Sequence, residues 1–257
     1  MANATIISNG YEVALPPDLP LAKLVIGKPV EELVALLPRI FNLCKAAQST
    51  AVRLACGQSL SGVEQKALTD EILRDHALRL TVLLPAQLGL APQELTPIPP
   101  QTDLDDACRA APVLDEVRQR FAPFEASVGS TTSENTIAKR QAHWPIMQET
   151  EERFGRGPLW RVTARYVEHF SRGLPNPKFE DGWASVPAAR GEYRVRAAVI
   201  DGKVTAFERC TPTDDLVRSG GVLEQSLKSL NRPELAQLLI DILDPCAPLT
   251  LREVHHA

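Results

Sequence analysis

Several signatures that would point straight to a chemistry are missing from this 257-residue chain. It has no Gly-rich phosphate loop, no H-E-x-x-H, no C-x-x-C and no G-x-S-x-G. A basic block is also absent. Lys and Arg number 28 against 32 Asp and Glu, a formal net charge of −4, so the electrostatic footprint of a nucleic-acid binder is missing. The longest charge-free apolar stretch, Leu80 to Ala91, is too short to span a bilayer and contains Pro85. The first residues lack a basic patch followed by an apolar run, which argues against a secretory signal. Five cysteines, an odd number, stand scattered at 44, 56, 108, 210 and 246 and make no disulfide framework. These absences point to a soluble cytoplasmic globular protein that engages neither nucleic acid nor membrane.

What is present suits a packed domain. With 44% apolar residues, the length suffices for one large core or two small ones. Two short β-like runs flank Asn9-Gly10, and a Pro-rich segment follows. Pro29 suits the first turn of a helix starting at Val30, with Glu31 and Glu32 at its positive end. Leu33, Leu36, Leu37, Ile40, Leu43 and Ala47 then recur at helical spacing, and Pro38 is expected to kink or divide that helix. A second helix starts near Val63, with Ala67, Leu68, Ile72, Leu73, Ala77, Leu80 and Leu84 on one side. Residues 90–104 form a Pro-rich connection. Helical patterns return at Asp105 to Phe121 and at Pro158 to Phe170. Between them, SVGSTTSENT (127–136) has the composition of a surface loop and is a candidate for disorder.

Residues 173–191 look irregular, and then the texture changes. EYRVRAAVI (192–200), Asp201-Gly202 and KVTAFERC (203–210) predict a hairpin with a two-residue turn, the sharpest local signal in the chain. Helical stretches Gly221 to Leu230 and Arg232 to Leu243 follow, and DPCAPLTLREVHHA reads as an irregular tail. The expected class is α+β, a mainly helical bundle with a small antiparallel hairpin or sheet.

Few residues invite chemistry. His255 and His256 close the chain and read as a solvated tail. Cys56, Cys108 and Cys210 lie in regular elements, where a buried small hydrophobe is the default. Cys44, in PRIFNLCKAAQ, and Cys246, held between Pro245 and Pro248, are the exceptions. Arg190 before its Gly reads as a surface residue when taken alone, and Thr213 in T-P-T-D-D as a helix cap. If the turn lies at 201–202, residues 190 and 213 fall at the same end of one ribbon.

Four segments, in order, carry a family likeness. GKPVEELVALLPRIFNLCKAAQ (27–48) resembles the first metal motif of the large subunit of nickel–iron hydrogenases, which ends in R-x-C-G-x-C-x-x-x-H. PAARGEYRVRAAVIDGKVTAFERCTPTDD (187–215) resembles that family's Arg-Gly turn, hairpin and Pro-Thr or Pro-Ser. GGVLEQSLKSL (220–230) is similar to its following helix. LLIDILDPCAPL (238–249) resembles the second metal motif, D-P-C-x-x-C-x-x-H. The resemblance implies one hydrogenase large-subunit-like domain over 1–257: motif one at 27–48, a variable middle at 90–180, the hairpin at 187–215 and the C-terminal motif at 238–257.

The departures carry the functional implication. Phe41 stands at the first cysteine position, Asn42 at the glycine and Gln48 at the histidine. In the second motif Leu249 and Arg252 replace the second cysteine and the histidine. Of four thiolates that the resemblance implies for a nickel–iron site, Cys44, at a bridging position, and Cys246, at a terminal one, remain. Neither Phe nor Leu donates an electron pair, so no nickel is expected. Two thiolates suffice for one low-spin iron whose other positions hold cyanide and carbon monoxide. Arg190 and Thr213 match residues that donate to the cyanide nitrogens, and Pro212 matches the apolar neighbour of these diatomic ligands.

The pattern resembles the accessory hydrogenase expression/formation proteins of the HupK/HoxV type, shortened, non-catalytic relatives of the large subunit. That likeness implies a cytoplasmic scaffold, not an enzyme, which transiently holds or assembles an Fe(CN)2(CO) unit. Its implied partners are a small maturation chaperone that delivers iron fragments and the hydrogenase large subunit itself. Two alternatives stand beside it. One is a metal-free module that mimics the large subunit and occupies its chaperones. The other is a truncated, redox-active hydrogenase.

Overall fold

The computed structural model describes residues 5–8, 10–15, 19–40 and 43–253. Phe41, Asn42, Asn9, His255 and His256 lie outside them. In chain order, strands β1 (Thr5–Ser8) and β2 (Tyr11–Ala14) precede helices α1 (Leu21–Val25), α2 (Val30–Ile40), α3 (Lys45–Ala55) and α4 (Gly62–Leu78). A π-helical turn, Arg79–Leu83, joins α4 to α5 (Leu84–Gln87). Then come α6 (Leu104–Ala110), α7 (Pro112–Arg120), α8 (Ile137–Gln141), α9 (Pro145–Phe154) and α10 (Pro158–Ser171). Strands β3 (Lys178–Glu180), β4 (Trp183–Ala188), β5 (Gly191–Ile200) and β6 (Lys203–Cys210) follow. The chain continues through α11 (Pro212–Val217), α12 (Val222–Lys228), a 3-10 turn at Pro233–Leu235, α13 (Ala236–Leu243) and β7 (Thr250–Glu253). Among the described residues no helix is long and apolar enough to cross a membrane.

Within the span read as one domain, 1–257, the chain gathers into two compact units built from interleaved segments. The first comprises 1–17, 75–173 and 213–257; the second comprises 18–74 and 174–212. The first unit is the helical one. Residues Pro158 to Glu168 of α10 are all buried, with α7, α8, α9 and α13 packed against that helix. Pro158 suits its first turn, where a missing N–H costs nothing. Trp160, Tyr166, Leu114 and Leu239 fill the centre. An antiparallel sheet in the order β1-β2-β7 closes the unit, Val13 standing opposite Leu251.

The second unit holds a four-stranded antiparallel sheet, β3-β4-β5-β6, with α1, α2 and α3. Its α3 rests on β4 and β5. Small residues, Ala47 and Ala51, let the helix approach Ala184, Val186, Tyr193 and Val195 closely. Leu33 and Leu37 of α2 are fully buried beside Val25, Val52 and Val204. Burial of each such leucine stabilises the fold by about 1.5–3 kcal/mol. The predicted turn is where the sequence puts it: Asp201 and Gly202 take φ of 49° and 73°, and Ile200 pairs with Lys203.

Four expectations need correction. Of the two effects expected of Pro38, division is overturned: α2 runs through it to Ile40, and α3 begins at Lys45. Residues 173–191 are not irregular throughout, because β3 and β4 extend the hairpin to a sheet. The tail is irregular only as far as residue 249, since β7 then pairs with β2, and residues 254–257 lie outside the described ones. Loop 127–136 is tied down rather than loose. Thr132 donates to Gln225 at 2.7 Å, Asn135 to Asp215 at 2.9 Å, and Arg161 to Glu134 at 2.9 Å.

Candidate functional site

Cys44 occupies the N-cap position of α3, with φ −137° and ψ 58°, just outside the helix in which its sequence pattern placed it. Its side chain does not cap the helix; the cap comes from Glu71 of α4. The buried Glu71 carboxylate accepts from the amides of Ala46 at 2.8 Å and Ala47 at 3.2 Å. Two of the orphan donors of α3 are thereby satisfied by a carboxylate 24 or 25 residues away, at the end of the helix dipole that favours negative charge. Gln48, one turn into α3, donates its Nε2 hydrogen to Cys44 Sγ at 3.3 Å. The position that the large-subunit motif gives to histidine thus serves the sulfur by a hydrogen bond.

Cys44 also packs at the edge of the cluster holding Ala47, Ala188, Ala189 and Tyr193. Ala188 pairs with Gly191, so Ala189 and Arg190 form the two-residue turn between β4 and β5. Arg190 is only 7% exposed, which removes its reading as a surface residue. A guanidinium so buried is retained only where partners or a ligand compensate its desolvation. At the same end of the sheet β6 finishes at Cys210, opposite Arg194, and Pro212 is buried two residues on. Cys44, Arg190 and Pro212 thus belong to the second unit.

Thr213 and Cys246 belong to the first unit. Although 33 residues apart, they meet: the Cys246 amide donates to Thr213 Oγ1 at 2.8 Å. The hydroxyl accepts in that bond, and its own hydrogen stays uncommitted by it. Thr213 lies inside α11 rather than capping the next helix, so the cap reading gives way. Ahead of Cys246, Asp244 ends α13 in the left-handed conformation at φ 56°, and its buried carboxylate is paired with Arg165 at 2.8 Å and with Arg79. Beyond Cys246, Leu249 packs against the helical core, and Arg252 stands exposed on β7 opposite Glu12. At the two positions where the large-subunit motif places ligands, this chain has a core leucine and a strand arginine.

The remaining thiols divide. Burial pushes the Cys108 thiol up to about 11, and burial, followed by the charge of Glu31, raises that of Cys56. Both therefore resist becoming thiolates, but only Cys108 is buried as the hydrophobe reading expects; Cys56, at the C-cap of α3, is half-buried. Cys210 departs from that reading: it is half-buried, and Arg194 Nη2 donates to its sulfur at 3.3 Å. Among the described residues no three His, Cys, Asp or Glu side chains come together as a metal cage. The cysteine motifs and the Arg-Gly and Pro-Thr segments were legible in the sequence. Gln48, Glu71 and Asp244 were not singled out as supports, since each acts through a neighbour.

No protein-family profile matches the chain. It is 40% identical, over 276 aligned positions, to the hydrogenase expression/formation protein HupK of Rhodobacter capsulatus, the alignment spanning 94% of this chain and 93% of that protein. Among solved structures it is similar to variants of the nickel–iron–selenium hydrogenase of Desulfovibrio vulgaris Hildenborough. One has a TM-score of 0.56 at 12% identity, covering 96% of this chain and 99% of that one. Another has a TM-score of 0.55 at 13% identity, covering 95% and 98%. At such identities the likeness is one of fold.

Proposed function

The chain belongs to the HupK type of hydrogenase expression/formation proteins, and from that premise we propose that it is an accessory scaffold of hydrogenase maturation that transiently holds an Fe(CN)2(CO) unit. The observation that carries this reading is the 2.8 Å bond between Thr213 and the amide of Cys246. It unites the one cysteine left in the second motif with the hydroxyl expected to face a cyanide nitrogen. In the first unit Cys246 offers the iron a soft donor and the Thr213 hydroxyl a hydrogen bond to a cyanide nitrogen; in the second, Cys44 offers a soft donor, Arg190 a hydrogen bond to cyanide and Pro212 an apolar neighbour for carbon monoxide. Two thiolates where a nickel–iron site has four also mean weaker retention, which suits a carrier that must hand its load on. The donor in this exchange is a small maturation chaperone and the acceptor is the hydrogenase large subunit. The scaffold performs no redox turnover of its own and carries no nickel.

Infrared spectra of protein made with the full maturation machinery test this. Cyanide and carbonyl stretching bands are expected, with iron and without nickel in elemental analysis. Cys44→Ala and Cys246→Ala are each expected to abolish the bands and to block maturation of the hydrogenase. Bands that survive both substitutions would exclude these cysteines as ligands. Loss of the bands with maturation intact would favour the metal-free mimic, which the conversion of Leu249 and Arg252 to core and strand positions also suits.

A further inference from the structure

An ion triad lies inside the first unit, next to the Cys246 loop. Helix α4 passes without a break into the π turn Arg79–Leu83, a geometry that is rare and tends to persist where it serves a purpose. Arg79 opens that turn. Its guanidinium pairs with the carboxylate of Asp244 and donates to the backbone carbonyl of Asp241 at 3.3 Å, in the last turn of α13. From α10, Arg165 Nη2 reaches the other oxygen of Asp244 at 2.8 Å, while its Nη1 lies 3.8 Å from Asp75. Two arginines and two aspartates thus balance in charge, and the Asp244 side chain is completely enclosed.

Three restraints then act in succession on the short path to the cysteine. Asp244 is fixed by the triad and by its amide bond to Ile240 at 2.9 Å. Pro245 fixes its own φ. The amide of Cys246 is held by Thr213. A left-handed aspartate where glycine is the usual helix terminator is explained if its carboxylate is needed there. We propose that the Arg79–Asp244–Arg165 triad, with the π turn that presents Arg79, is the device that positions the Cys246 thiol. Its purpose rests on Cys246 being an iron ligand; its geometry does not.

The test uses full-length protein that has never met iron, alkylated with iodoacetamide and followed cysteine by cysteine by mass spectrometry. Cys108, in the same unit and 1% exposed, reports global opening. Asp244→Asn is expected to speed modification of Cys246 about tenfold with Cys108 unchanged, the mark of local release. Arg165→Met is expected to act in the same direction, and Arg165→Lys to restore most of the slow rate. A Cys246 rate that stays at the wild-type value, or rises only in step with Cys108, overturns the proposal. Should Asp244→Asn fail to fold, Arg79→Gln, which leaves Arg165 to neutralise Asp244, carries the same two readings. Infrared bands missing from wild-type protein would remove the cargo and still leave alkylation to decide the triad.

Discussion

The contrast between Arg190 and Arg252 shows how burial sorts similar side chains into different roles. Both follow motif positions of the large subunit, yet Arg190 sits buried at a two-residue turn while Arg252 is exposed on an edge strand. Sequence alone favours the surface for Arg190, because an arginine next to glycine is ordinary; only the turn geometry encloses it. Thr213 is a second such residue. Its hydroxyl accepts from Cys246, so Thr213→Val removes an acceptor while keeping the shape. The expected cost is about 1 kcal/mol in urea denaturation, with Thr213→Ser close to wild type. In loaded protein the same valine should shift a cyanide stretching band, because a donor to its nitrogen is lost; an unmoved band would take Thr213 out of the ligand pocket.

Elements set the sulfur of Cys44 as much as its own sequence does. The apolar periodicity from Leu33 to Ala47 is real, but it belongs to two helices, α2 and α3, whose faces the pattern cannot separate. Periodicity reports which way side chains face and is blind to a short break that happens to keep phase. The cap on α3 was equally hidden, since Glu71 comes from another helix and leaves no local signature. Glu71→Ala should cost about 1–2 kcal/mol, the range for losing a helix cap, and should speed amide exchange at Ala46 and Ala47. Exchange that stays at the wild-type rate there would show that water replaces the carboxylate at no cost. The turn of the hairpin, by contrast, was legible, because a two-residue hairpin turn demands positive φ at both positions and Asp201-Gly202 tolerates it; the register shift at Ala198 and Val199 was not. The hairpin's extension by β3 and β4 was not either, since Gly, Pro and Asp between 173 and 191 mask two short strands.

Across the whole molecule, the largest stake is the enclosed carboxylate of Glu168. It accepts from Arg140 through Nε at 2.7 Å and Nη2 at 2.5 Å, from Gln141 at 2.6 Å and from His76 at 2.9 Å, tying α4, α8 and α10 together. Burial works to raise its pKa, but the Arg140 charge and the bonds from His76 and Arg140 overcome it and hold the group at about 2. For His76 burial dominates and lowers the pKa, against the opposing pull of Glu168. Both groups therefore bind fewer protons folded than unfolded as the solution is acidified. Stability should fall first below the ordinary histidine value of 6.5, then further between the ordinary glutamate value of 4.5 and about 2. Glu168→Gln, which leaves Arg140 uncompensated, should cost about 3–5 kcal/mol and flatten the lower part of that profile in denaturation measured against pH. The sequence by itself determined the class, the hairpin, most of the helices and the two cysteine motifs, because these depend on neighbours along the chain or on spacing. Tertiary structure alone decided that Arg190 is buried, that Thr213 holds the amide of Cys246, that Glu71 caps the helix after Cys44, and that two arginines enclose Asp244. Those contacts join residues tens of positions apart, and no local pattern encodes which distant side chain will meet a given donor.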